Sequence, residues 1–163
     1  MVKRAGETNW LTDAEQQAWM VVVALMFKLP AALDSQLRRD AGLTHFEYGV
    51  LAVLSAAPDR TMRMSELAVF NNCSLSRLSH VVKRMEDREW LTRSPSQADG
   101  RVTVAQLTPD GIAKLRSAAP GHVAEARRLV VDSLSTTQLQ QLRDIGKRIV
   151  SNIDPLHQQP IDK

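Results

Sequence analysis

The 163-residue chain is long enough for one domain with extensions, and its 44% apolar content is ordinary for a soluble globular protein. A single cysteine, Cys73, excludes an internal disulfide and fits a reducing, cytoplasmic compartment. The longest apolar run, residues 18–27, closes at Lys28 and Pro30 and is too short for a bilayer span, and because Glu7, Asp13 and Glu15 interrupt the region before it a secretory leader is not expected. The net charge of +3 is unevenly placed: residues 60–103 hold eight Lys/Arg against five Asp/Glu, and the rest of the chain balances. That placement suits a polyanion-binding surface, the bland alternative being a solvated basic face.

In chain order, Thr12-Asp13-Ala14-Glu15 is a capping box that starts a first helix, with Trp19, Val22, Val23, Met26 and Phe27 at helical spacing. Pro30 is expected to kink it near residues 26–29, and Leu33 and Leu37 resume the pattern before Gly42. From 13 to 40 such a helix is roughly 42 Å long at about 1.5 Å per residue, against a radius of gyration of about 15 Å for a chain of this size. It should project beyond its own globule and need another chain to cover its apolar face. Thr44-His45-Phe46-Glu47 repeats the capping box and opens a second helix carrying Phe46, Val50, Leu51, Val53 and Leu54. A short third helix over 64–70 turns Leu67 and Ala68 inward, and 71–73 form the turn. Ser74 caps a fourth helix running to about Arg88, with Leu75, Leu78, Val81, Val82 and Met85 as its apolar stripe. Residues 91–107 read as a hairpin broken from helix by Pro95 and by Asp99-Gly100. Pro109 starts a fifth helix that runs to about 133 and is interrupted at Pro120-Gly121. Ser135-Thr136-Thr137-Gln138 is a third capping box, and Leu139, Leu142, Ile145, Ile149 and Ile153 line the last helix. The fold class is therefore mostly α with a small β-hairpin wing: a winged helix-turn-helix lobe flanked by long helices.

Once the apolar stripe of the fourth helix is set aside, Ser74, Ser76, Ser79, His80, Arg77, Lys83 and Arg84 remain on the outward side. Acidic residues come only at its C-terminal end, at Glu86, Asp87 and Glu89. A helix macrodipole favours the opposite gradient, whereas an N-terminal turn that approaches phosphates and base edges has a reason for hydroxyls and guanidinium there. On the hairpin, Arg101 at the tip is placed for a narrow minor groove, with Asp99 pairing to it, and Arg93 on the other strand is placed for a phosphate.

Residues 63–111, RMSELAVFNNCSLSRLSHVVKRMEDREWLTRSPSQADGRVTVAQLTPDG, resemble the DNA-binding lobe of the MarR family of bacterial transcription regulators. WLTxxEQxAW and LRRDAGLTxxEYxVL, upstream, resemble the starts of actinobacterial-type members. The resemblance implies one MarR-like domain over 1–163, with a winged helix-turn-helix lobe at 44–108 and dimerisation helices at 10–41 and 109–154. It also implies a homodimer that presents two recognition helices and two wings to a pseudo-palindromic operator on double-stranded DNA. Leu75 stands where Pro is frequent, and Glu89 where Gly usually ends the recognition helix. A small aromatic or lipophilic effector is a family expectation, and Trp19, Val23, Met26, Phe27, His45 and Tyr48 are the candidates to line its pocket, with plain core as their alternative role.

No phosphate loop or nucleophile elbow is present, so an enzyme is not expected. The four scattered histidines and lone Cys73 argue against a metal site, and no cofactor is implied. Cys73 reads as a small core hydrophobe. The competing functions are a Cys73-based redox sensor and a ligand- or protein-interaction module that has lost DNA binding.

Overall fold

The computed structural model describes residues 8–96 and 98–153. Among them the elements run α1 (Asp13–Ala41), α2 (His45–Ala56), β1 (Thr61–Arg63), α3 (Met64–Phe70), α4 (Leu75–Glu86), β2 (Leu91–Pro95), β3 (Thr103–Leu107), α5 (Pro109–Leu129) and α6 (Thr136–Ile153). Short 3-10 turns occupy Pro58–Arg60 and Val131–Ser133. The chain divides into two units within α1, between Ala32 and Leu33.

In the first unit the capping box forms as its letters require. The Thr12 N–H donates to the Glu15 carboxylate at 2.8 Å, and the Glu15 N–H donates back to Thr12 Oγ1 at 3.4 Å. The helix runs on through Pro30, because a proline removes one donor but leaves the ladder on either side intact. That continuity makes α1 long and apolar enough to cross a membrane by length and composition alone, which the apolar run read letter by letter is not. Trp19, Met26 and Phe27 are each at least half exposed.

The second unit holds the core. Leu37 of α1, Leu43 just past its end, Val50, Leu51 and Leu54 of α2, Leu67 of α3, Leu78, Val82 and Met85 of α4, and Leu91 and Ala105 of the sheet are fully buried together. Leu75, at the first position of α4, departs from the expected stripe and is half exposed. Gly42, at φ 61°, turns the chain out of α1, with the Leu43 N–H donating back to the Leu37 carbonyl at 3.2 Å. The α2 cap is reciprocal, with the Glu47 N–H on Thr44 Oγ1 at 3.0 Å and the Thr44 N–H on Glu47 Oε2 at 2.8 Å.

The hairpin becomes a three-stranded antiparallel sheet in the order β1-β3-β2. Thr61 pairs Gln106 and Arg63 pairs Val104 on one side of β3, while Leu91 pairs Leu107 and Pro95 pairs Thr103 on the other. Sequence reading misses β1, because three residues show no periodicity and are extended only through pairing with β3. The fifth helix also corrects expectation. It continues through Pro120 and ends at Leu129, the 3-10 turn following. Pro120 forfeits a single backbone bond, and Gly121 beside it leaves room for Gln36, whose Nε2 would lie 3.1 Å from an added Cβ. The α6 cap forms between Ser135 and Gln138, the backbone N–H groups donating at 2.9 and 3.3 Å, and none of the α6 residues is buried.

Where α4 leads into the wing, Glu89 takes φ 61° in place of the usual glycine, and the Trp90 N–H reaches back to the Met85 carbonyl at 3.0 Å. Thr108 then locks this corner to α5: its N–H donates to the Trp90 carbonyl at 3.1 Å, its hydroxyl donates to the Glu89 carbonyl at 2.6 Å, and its Oγ1 accepts the Gly111 N–H at 3.0 Å. A Cβ on Gly111 would stand 2.0 Å from the Trp90 carbonyl oxygen. Two substitutions at this corner should therefore move stability in opposite directions. Glu89→Gly relieves a left-handed conformation and is expected to raise stability by about 1 kcal/mol. Gly111→Ala is expected to lower it by about 1–3 kcal/mol, since the backbone must shift. Thermal unfolding of the two variants beside the parent checks both signs.

Candidate nucleic-acid interface

The outward side of α4 follows from its buried side. With Leu78, Val81, Val82 and Met85 inward, Ser76, Arg77, His80, Lys83 and Arg84 project into solvent, and Ser79 is half-buried at the flank. Ser74 starts the helix, its Oγ accepting the Arg77 N–H at 3.2 Å. Above the same surface the Arg77 guanidinium lies 5.1 Å from the centre of the Phe46 ring of α2. Together with Asp34, Arg38 and Thr44, these residues line an open groove between α4 and the α1–α2 corner. Asp34 is already occupied there, holding the Arg38 Nε at 2.5 Å and the His45 backbone N–H at 2.8 Å.

At the wing, the Val102 N–H donates to the Asp99 carbonyl at 2.9 Å, closing a turn with Gly100 and Arg101 at its centre. The expected pair forms: Arg101 donates to Asp99 from its backbone and Nε at 3.1 Å each, and from Nη2 at 3.2 Å. These bonds, the side-chain one foremost, hold the Asp99 carboxyl below its ordinary pKa. The Arg101 side chain is 91% exposed, so the pair fixes its base while its surface remains open.

Arg93 does not behave as a free phosphate ligand. Its guanidinium lies 2.7 Å from Glu86 Oε2, and its backbone N–H donates to Oε1 of the same carboxylate at 3.1 Å. The wing strand is thereby pinned to the end of α4, and the Arg93 side-chain bond holds the Glu86 carboxyl below its usual range. Lys83 leans toward Asp87 at 3.5 Å on an exposed surface, where such a pair is weak.

The residues expected to line an effector pocket separate into groups. Trp19, Met26 and Phe27 are exposed, and Val23 is partly so. His45 faces His122, the ring centres 6.0 Å apart, and Tyr48 lies 4.3 Å from the same His122. Burial, and secondarily His45, lowers the His122 pKa, and burial raises that of Tyr48. The His122 Nδ1 is buried without a hydrogen-bond partner among the described residues. Tyr48 also opens onto a groove between α2 and α5 with Arg60, Ile112, Leu115 and Arg116 in its walls. Neither Arg60 nor Arg116 has a carboxylate partner among the described residues. Sequence reading misses His122, Arg60 and Arg116, since only tertiary packing brings them to Tyr48. Cys73 is unpaired and packs against the core. No group of three or more metal-ligating side chains occurs among the described residues.

Comparison with known proteins follows this geometry. The sequence profile of the MarR family matches residues 41–102. The chain is 29% identical over 116 residues to the HTH-type transcriptional regulator MhqR of Bacillus subtilis, spanning 71% of this chain and 78% of that protein. Sco3205, a MarR family transcriptional regulator from Streptomyces coelicolor solved in complex with DNA, aligns with a TM-score of 0.87 at 39% identity, over 93% of this chain and 94% of its own. AbsC, a MarR family regulator from the same organism, aligns at 0.84 and 38%, over 90% and 98%.

The Arg93–Glu86 bridge should behave as a structural pair. A double-mutant cycle of Glu86→Gln and Arg93→Gln, read by thermal unfolding, is expected to give a coupling of about 1 kcal/mol at pH 7. Because the folded Glu86 pKa is depressed, that coupling is present above the unfolded carboxylate value and is lost as the pH falls through the folded one.

Proposed function

Because the chain belongs to the MarR family, we propose that it is a homodimeric, sequence-specific DNA-binding transcriptional regulator, a repressor whose operator affinity an effector lowers. The observation that carries this reading is the outward surface of α4, where hydroxyls, Arg77, His80, Lys83 and Arg84 stand over a fully buried back, beside a wing tip whose Arg101 is oriented yet open. In the proposed complex α4 enters a major groove and reads base edges, and Arg101 enters the adjacent minor groove. Sco3205, at 39% identity, is a regulator solved with DNA, which supports the same docking here. Exposed apolar residues occur on α1, among them Trp19, Met26 and Phe27, and separately on α6, among them Ile145 and Ile153, and a second copy would cover them. A homodimer presents two such readers to a pseudo-palindrome.

The effector site of this reading centres on Tyr48 and the α2–α5 groove, where Arg60 and Arg116 suit an aromatic or lipophilic anion. The protein acts in the cytoplasm without a cofactor and is not an enzyme. MhqR, Sco3205 and AbsC, to which the chain is similar, carry the names of transcriptional regulators, which supports this reading.

Binding to duplexes from the chain's own upstream intergenic DNA tests the proposal. A complex making six to ten phosphate contacts should lose about 10³–10⁵ in affinity between 50 and 200 mM salt. Arg101→Ala should weaken binding with the fold intact, whereas Arg77→Ala should relax base preference, by about 1–3 kcal/mol at one base pair, more than it lowers affinity overall. Absence of a salt-sensitive, sequence-dependent complex would overturn the reading.

A further inference from the structure

Four of the guanidiniums around the interface are held in two different ways. Arg38, Arg93 and Arg101 each rest on a carboxylate, at 2.5, 2.7 and 3.1 Å. Arg77, at the N-terminal end of α4, has no carboxylate partner among the described residues and lies instead over the Phe46 ring, 5.1 Å from its centre. The difference matters chemically. A carboxylate orients a guanidinium by accepting its N–H groups and cancelling its charge. An aromatic ring attracts the cation through its quadrupole and takes none of the five donors out of use.

We propose that Phe46 is a positioning residue for base-pair discrimination, its ring presenting the Arg77 guanidinium, oriented and still charged, to a base edge. Both ends of Arg77 are then fixed before DNA arrives: the backbone N–H by Ser74 Oγ at 3.2 Å, the guanidinium by the ring. The ring is itself well anchored. Phe46 packs against the hydrophobic core in the first turn of α2, which the Thr44–Glu47 capping box fixes. Asp34, the carboxylate that lines this groove, is engaged by Arg38 and the His45 N–H. Ordering a long side chain in advance removes an entropic cost from binding, and it does so most for the pose in which both donors of the fork meet one base.

The inference rests on the DNA-binding reading, and its test separates the two. A duplex selected from a randomised pool by the wild-type chain serves as the probe. Discrimination is the ratio of the Kd of a duplex altered at the base pair where Arg77→Ala loses preference to the Kd of the selected duplex. Phe46→Leu should reduce this ratio about two- to fivefold, the size of an exposed cation–π contact. Phe46→Trp should retain the ratio, and the salt slope should stay unchanged in both, since no phosphate contact is touched. In an Arg77→Ala background Phe46→Leu should have no further effect on discrimination, which holds even if the leucine variant unfolds at lower temperature. Wild-type discrimination in Phe46→Leu, or an equal loss with and without Arg77, overturns the role of Phe46 alone. Failure of the wild-type chain to select any duplex overturns the DNA-binding reading instead.

Discussion

Burial of one side of α4 is the constraint on which the interface depends. Leu78, Val82 and Met85 are fully enclosed, and each such side chain is worth about 1.5–3 kcal/mol against exposure. Rotating the helix to present another face would forfeit most of that, far more than any surface ion pair could return. The 3.6-residue period then leaves no choice about which residues point outward. Ser76, Arg77, His80 and Arg84 face solvent because hydrocarbon three and four positions away does not. The outward surface of α4 is thus specified by the packing behind it.

Around that fixed helix, charge is managed by position. Acidic side chains gather where they organise the scaffold: Glu86 ties β2 to α4, Asp34 ties the end of α1 to the start of α2, and Asp99 braces the wing tip. Each spends a carboxylate on geometry, and each is set beside or behind the outward surface of α4. What remains at the front is positive and hydroxylic, so the basic excess of the middle third becomes directional only after folding. A count of charges along the chain gives its sum and not its aim.

Much of this was legible in the letters, for local reasons. The three capping boxes form as read because a cap is an interaction between residues three apart, which no distant packing needs to arrange. The short α3, the cap at Ser74 and the Asp99–Arg101 pair are similarly local. What escaped reading was set by contacts across the fold. β1 is a strand only beside β3. Arg93 has the same letter whether it meets a phosphate or Glu86, and only the register of β2 against α4 decides. Phe46 looks like one more core residue until the guanidinium from another helix is found above it. Pro120 and Glu89 show the converse, where a local rule against a residue yields to surroundings that hold the backbone anyway.

The corner built by Glu89, Trp90, Thr108 and Gly111 has a mechanical consequence. Four backbone positions from the end of α4, the root of the wing and the first turn of α5 meet there through three hydrogen bonds and a contact too tight for a methyl group. A close-packed joint of this kind ties the end of α4 and the root of the wing to the first turn of α5, so that a displacement of one is shared with the others. A side chain at position 111 would force that joint apart and loosen the wing from the helix behind it.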